Sequence, residues 1–272
     1  MNKTKNTIAI CAMCLTLVSC NKFEKLLNSN DYNAKYEAAM HYYNDNSYSK
    51  AIQLFENLTL HYRGKENAEN IAWYYAQSLY KEKDYYSAGY QFKRFARQFP
   101  YSENAEEAIY LAAYCHYKES PAYTLDQRVT REAIEEMETF AERFPHSNHI
   151  PEVNNYLDEM RAKLMKKDYE LAYGYYFIEE YHAAYESFKQ FINLYPESPM
   201  REEAMFYQLE SGFRYAVGSR EDKQRERLQQ VLNDFDKFNS SFANSKHLAA
   251  AQTIYTKARA ALTDLENKKT EK

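Results

Sequence analysis

An all-α, right-handed solenoid of about five helix pairs, closed by a C-terminal capping helix, is the fold this sequence predicts. Three observations carry that expectation. Small and aromatic residues recur with a 3-4-3-4 spacing, several copies end in an aromatic followed by proline, and turn-forming residues are scarce. Only 5 glycines and 6 prolines occur in 272 residues. Connections must therefore be short, and a strand-rich chain would need more of both residues for its turns.

The repeating unit is clearest in Tyr85, Ala88, Phe92, Phe95 and Phe99. It returns as Tyr48, Ala51, Phe55, Leu58, Tyr62 and as Tyr181, Ala184, Phe188, Phe191, Tyr195. A fourth version, Thr130, Ala133, Met137, Phe140, Phe144, begins with threonine, and a looser one reads Leu228, Val231, Phe235, Phe238, Phe242. Steps of three and four put all five side chains on one helix face. Phe99-Pro100, Phe144-Pro145 and Tyr195-Pro196 then stop the helix, because proline disfavours helical geometry in the residue before it. Ser102, Ser147 and Ser198 follow, placed to cap the next helix. Repeat one ends instead in Arg63-Gly64, and repeat five has Ala243 where the others have proline.

Before each of these helices comes another with a small residue on its packing face. Ala39, Ala76 and Ala172 precede the second-helix alanine by 12 positions, whereas Ala113 precedes Ala133 by 20, an insertion that contains Ser120-Pro121. Alanine opposite alanine lets two antiparallel helices approach closely, with aromatics filling the space to the next pair. This is the pattern of tetratricopeptide repeats. Five are read, at about 32–64, 67–102, 104–147, 151–198 and 200–243, the first three forming an N-terminal part (32–147) and the others a C-terminal part (148–266). Repeat four opens with a long helix from Val153 to Phe177. Residues 246–266 read as the cap, with Ala249, Ala250, Ala258 and Ala261 on one side, and 267–272 as a charged tail.

The N-terminus carries an address. Lys3 and Lys5 precede an apolar run from Ile8 to Val18, which is too short to span a bilayer at ~20 residues. Charged, apolar and small-residue regions in this order form a signal peptide over 1–19. Its Leu17-Val18-Ser19-Cys20 ending resembles a bacterial lipoprotein box, which implies acylation of Cys20 and a lipidated tether over 20–31. After cleavage only Cys20 and Cys115 remain, so no intramolecular disulfide is expected, and Cys115 reads as a small buried hydrophobe.

Catalytic constellations are missing from the sequence: there is no phosphate-binding glycine loop, nucleophile elbow, CxxC or HExxH. His146 and His149 are a pair without a third metal ligand. The net charge of −4 is mild and the charges are interleaved, which gives nucleic acid no basic stripe to bind. We expect no enzyme, no cofactor, no metal and no small-molecule substrate. The aromatic excess of 16%, including 28 tyrosines, calls for another explanation. On the first helices, Tyr36, Met40, Tyr43, then Trp73, Gln77, Tyr80, then Tyr110, Tyr114, Tyr117, then Tyr169, Tyr173, Tyr176 fall at i, i+4, i+7. Such a stripe would line the inner wall of a solenoid and suits an extended peptide, with Trp73 the best single anchor.

The lipobox, the five repeats, the long helix of repeat four and the stretch Ser120-Pro-Ala-Tyr-Thr-Leu-Asp126-Gln127-Arg-Val-Thr130-Arg-Glu-Ala133, followed by Phe144-Pro145-His-Ser147, together resemble the BamD family, lipoproteins of the outer-membrane β-barrel assembly machine. The resemblance implies an anchor in the outer membrane through Cys20 and a body in the periplasm. It also implies N-terminal repeats that receive the C-terminal strand of unfolded outer-membrane proteins, and C-terminal repeats that dock on a BamA-like β-barrel protein. The competing expectation is another periplasmic repeat lipoprotein, associated with peptidoglycan or cell division.

Overall fold

The computed structural model describes residues 22–270; the signal segment and Cys20 lie outside the described residues. Among the described residues every regular element is a helix. After α1 (residues 22–27) come α2 (Tyr32–Asn44), α3 (Tyr48–His61), α4 (Ala68–Lys81), α5 (Tyr85–Gln98), α6 (Ala105–Glu119) and α7 (Arg128–Arg143). They continue as α8 (Ile150–Phe177), α9 (Tyr181–Leu194), α10 (Arg201–Val217), α11 (Glu221–Ser241) and α12 (Leu248–Thr270). Consecutive helices pack on one another, as a helical-repeat solenoid requires.

The chain forms two compact units. Of the described residues, the first comprises 22–121 and 126–160, the second 122–125 and 161–270. The division falls inside α8 rather than at the 147/148 turn expected from the repeats. Val153, Leu157 and Met160 on its first half belong to the core of unit one, and Tyr169 and Ala172 on its second half to a core of unit two.

The alanine pairing has a clear physical basis. Ala39, Ala51, Ala76, Ala88, Ala113, Ala133, Ala172 and Ala184 are all buried, with no more than 1% exposure. Phe55, Phe92, Phe95, Phe140, Phe188, Phe191 and Phe238 fill the layer between pairs, each worth about 1.5–3 kcal/mol of apolar burial. Cys115 is buried too, facing Gly89, where an added Cβ would come within 3.2 Å of the cysteine Cβ.

Three of the turns from first to second helix are tight and almost free of glycine. Asn46, Lys83 and Glu179 take left-handed conformations, with φ of 57°, 66° and 64°. In each, the next residue's N–H reaches back to the helix: Ser47 to Tyr42 O at 2.8 Å, Asp84 to Leu79 O at 3.0 Å, Glu180 to Tyr175 O at 3.0 Å. These are Schellman closures, which more commonly use glycine. The return turns share another geometry. Phe99, Phe144 and Tyr195 end their helices near φ −127°, ψ 62°. Phe242 does the same at φ −137°, ψ 56° without a following proline, so the aromatic sets this turn and the fifth repeat keeps its register. Repeat one departs as its sequence suggests, with Gly64 at φ 74°.

The serines act one step earlier than capping predicts. The Ser102, Ser147, Ser198 and Ser245 hydroxyls accept from the N–H two residues on, at 3.1, 3.3, 3.1 and 2.9 Å, which closes the turn before the helix. The insertion in repeat three is held by Thr130, the residue that broke the aromatic pattern. Its hydroxyl donates to Gln127 at 2.8 Å and lies 2.7 Å from the Ser120 hydroxyl.

Both ends differ from expectation. Residues 22–27, expected to be tether, form α1 and pack through Phe23. Helix α12 runs on through the expected tail to Thr270 and buries Ala251, Ile254, Ala258 and Leu262, while Ala249 and Ala250 are exposed.

Candidate functional site: an aromatic face on the first helices

In unit one, the predicted stripe forms a series of ring contacts along the first helices. Tyr43 on α2 meets Tyr74 on α4 edge-on, with ring centroids 5.0 Å apart. Tyr80 on α4 meets Tyr114 on α6 at 6.1 Å, and Tyr114 meets Tyr156 on α8 at 5.4 Å. Tyr117 stacks on Tyr156 at 4.4 Å. Offset and edge-on pairs of this kind add about 0.5–1.5 kcal/mol each beyond their burial. In unit two, Tyr173 and Tyr176 on α8 both contact Tyr207 on α10, at 5.2 and 4.8 Å. Tyr74, Tyr156 and Tyr207 were not foreseen. Tyr207 had a signal, since it lies one 34-residue repeat beyond Tyr173.

The stripe divides into two kinds of tyrosine. Tyr110 is buried, and its hydroxyl donates to Glu152 at 2.8 Å. Tyr117 donates to Glu159 at 2.5 Å. Both acceptors sit on α8, so these hydroxyls tie repeat three to the start of the next repeat. In unit two, Tyr169 pairs with Glu203 and Tyr176 with Glu210 in the same way, from α8 to α10. By contrast, Tyr36, Tyr43, Tyr80 and Tyr114 are half-buried, and their hydroxyls have no hydrogen-bond partner among the described residues. Trp73 is half-buried as well, leaning on Phe92 and Phe95 of its own repeat at 5.7 and 5.3 Å. Met40 and Gln77 complete the face, both partly exposed.

Burial favours the neutral hydroxyl at Tyr36, Tyr43, Tyr80, Tyr110 and Tyr117. Burial, with Tyr114 next, pushes Tyr80 up to about 12. Burial also raises Tyr36 and Tyr43, and burial plus the carboxylate hydrogen bond raises Tyr110 and Tyr117. At neutral pH the face therefore offers apolar rings and uncharged O–H donors. That chemistry fits the side chains and backbone carbonyls of an extended peptide.

His149 stacks on Tyr110 at 3.8 Å with Nε2 2.7 Å from Glu107, and His146 is exposed. On another side of α6, a cleft of about 520 Å³ lies between α5 and α7. Glu136 there is bonded to Lys93 and, at 2.8 Å, to His116 Nδ1. No described helix is long and apolar enough to cross a membrane.

Paired helices and buried alanine seams define a helical-repeat protein. A family model described as YfiO, outer membrane lipoprotein, matches residues 28–172 and 165–269, nearly all of the described chain. The chain belongs to this family of outer membrane lipoproteins. Among curated proteins, none matches it.

Proposed function

We propose that this protein is a lipid-anchored scaffold of outer-membrane β-barrel assembly, BamD-like in role. It acts by binding other chains, not by catalysis. Cys20 carries the acyl groups, the first three repeats receive unfolded outer-membrane proteins, and the C-terminal repeats dock on a BamA-like barrel protein. The observation that carries this reading is the row Tyr36, Tyr43, Tyr80 and Tyr114, whose hydroxyls have no hydrogen-bond partner among the described residues while those of neighbouring Tyr110 and Tyr117 are engaged. Membership of the outer membrane lipoprotein family supports the location.

Extraction in mild detergent followed by co-purification tests the partners. Recovery of a large barrel protein with periplasmic domains is the expected result. Recovery of wall fragments or division proteins alone would transfer the chain to the competing scaffold class.

A further inference from the structure

Helix α1 is short, but it is held on several sides. Phe23 is buried and meets the Tyr42 ring of α2 edge-on at 5.6 Å. The Lys50 ammonium of α3 lies over both rings, 5.8 Å from Phe23 and 5.1 Å from Tyr42. Leu26 and Leu27 pack on the core of unit one. The connection onward has no slack: the Ser29 hydroxyl donates to Leu26 O at 2.8 Å and accepts from Asp31 N, and Asp31 caps α2 through Ala34 N at 2.9 Å.

Only Asn21 and Lys22 separate Cys20 from Phe23. Three residue steps span at most about 10 Å, even fully extended. An acylated Cys20 has its backbone at the headgroup level, so the Phe23 backbone must lie within that distance of the lipid surface, with the Tyr42 ring packed against its side chain. Phe23 packs on the end of repeat one that carries the α2–α3 turn. Lys22, Lys25 and Lys50 stand on or beside this end against two acidic residues, Glu24 on α1 and Asp45 in the turn, the latter 3.3 Å from His41 Nδ1.

We propose that α1 is a stiff stem which seats the α2–α3 end of repeat one on the membrane surface, the lysines facing lipid phosphates and Phe23 acting as the positioning residue. The inference rests on acylation of Cys20, the lipid-anchor part of the proposed function, and not on which chains the repeats bind.

The test uses the full acylated chain in phosphatidylethanolamine–phosphatidylglycerol vesicles doped with nitroxide-headgroup lipid. A fluorophore is placed by Ser49→Cys, at the start of α3, or by Leu60→Cys, near its far end. Both sites are exposed, while Cys115 is buried. Along α3 they are about 16 Å apart at 1.5 Å per residue. Quenching at position 49 is expected to exceed that at 60 severalfold. Phe23→Ala should erase the difference with helix content unchanged, and Phe23→Leu should keep most of it. A flexible Gly-Ser segment inserted between Asn21 and Lys22 should also erase it while leaving the core untouched. Equal quenching at both sites in the acylated wild type, or a difference that survives the insertion, overturns the stem and leaves the lipid anchor standing. Absence of acyl groups on Cys20 by mass spectrometry overturns both.

Discussion

The Tyr110 hydroxyl on α6 donates to the Glu152 carboxylate on α8 across 2.8 Å, and seven residues further along both helices Tyr117 repeats the bond to Glu159. Each pair is 42 positions apart in sequence. In unit two, Tyr169–Glu203 and Tyr176–Glu210 are 34 apart, the same device without the eight-residue insertion of repeat three. Tyrosine–carboxylate pairs thus fasten one first helix to the next. Hydrogen bonds to charged groups contribute about 1.5–3 kcal/mol, discounted here because Glu152 is exposed. Tyr110→Phe should lower stability by about 1–2 kcal/mol in urea unfolding, and Tyr114→Phe, whose hydroxyl is unpaired, by under about 0.5.

The shared φ and ψ of Phe99, Phe144, Tyr195 and Phe242 assign the return turn to the aromatic rather than to proline. Phe144 also packs on Phe140 at 5.3 Å. Phe144→Ala should therefore destabilise by about 3 kcal/mol and Pro145→Ala by less than about 1. Similar losses from both substitutions would give proline the larger role.

Glu179 sits exposed at φ 64°, where a side chain costs about 1 kcal/mol or more and glycine does not. Glycine adds entropy to the unfolded chain, so the net gain from Glu179→Gly is about 0.5–1 kcal/mol. A rise in melting temperature of a few degrees for the variant checks it.

The titrations have opposite signs at the two ends of the pH scale. Tyr80, raised by burial and then Tyr114 from 10.0 to about 12, holds its proton more tightly when folded. Its contribution is complete below about pH 10 and lost as pH rises towards 12. For Glu136, burial acts to raise the carboxyl, but the bonds from His116 and Lys93 outweigh it and hold the group below 4.5. That contribution is present above about pH 4.5 and lost as pH falls through the lower folded value. Helicity followed against pH should fall on the alkaline side as tyrosinate absorbance rises. Tyr80→Phe should soften that limb, and Glu136→Gln the acid one.

The second helices were the most legible part of the sequence, because one buried face of fixed spacing dictates their core and ends. Positions such as Ala88 and Phe92 could be assigned without coordinates. The first-helix stripe was visible too, but its division into engaged and free tyrosines was not. Glu152, Glu159, Glu203 and Glu210 look like ordinary surface charges, and their partners lie a whole repeat away. Lys83 and Glu179 gave no turn signal, since only the backbone closure forces their positive φ. Helix α1 is too short for periodicity, so Phe23 could not be distinguished from tether. In α12 the packing stripe follows Ala251, Ile254, Ala258 and Leu262, one of several faces an alanine-rich helix could have buried.

The central claim is that the aromatic face of the first helices holds an unfolded barrel protein. Photo-crosslinking residues placed at Tyr114 on this face and at Tyr90, exposed on α5 beside the cleft towards α7, compare two sides of unit one directly. With a peptide from the C-terminal strand of an outer-membrane barrel protein, capture at Tyr114 and little at Tyr90 is predicted. Capture at Tyr90 with none at Tyr114 would contradict it.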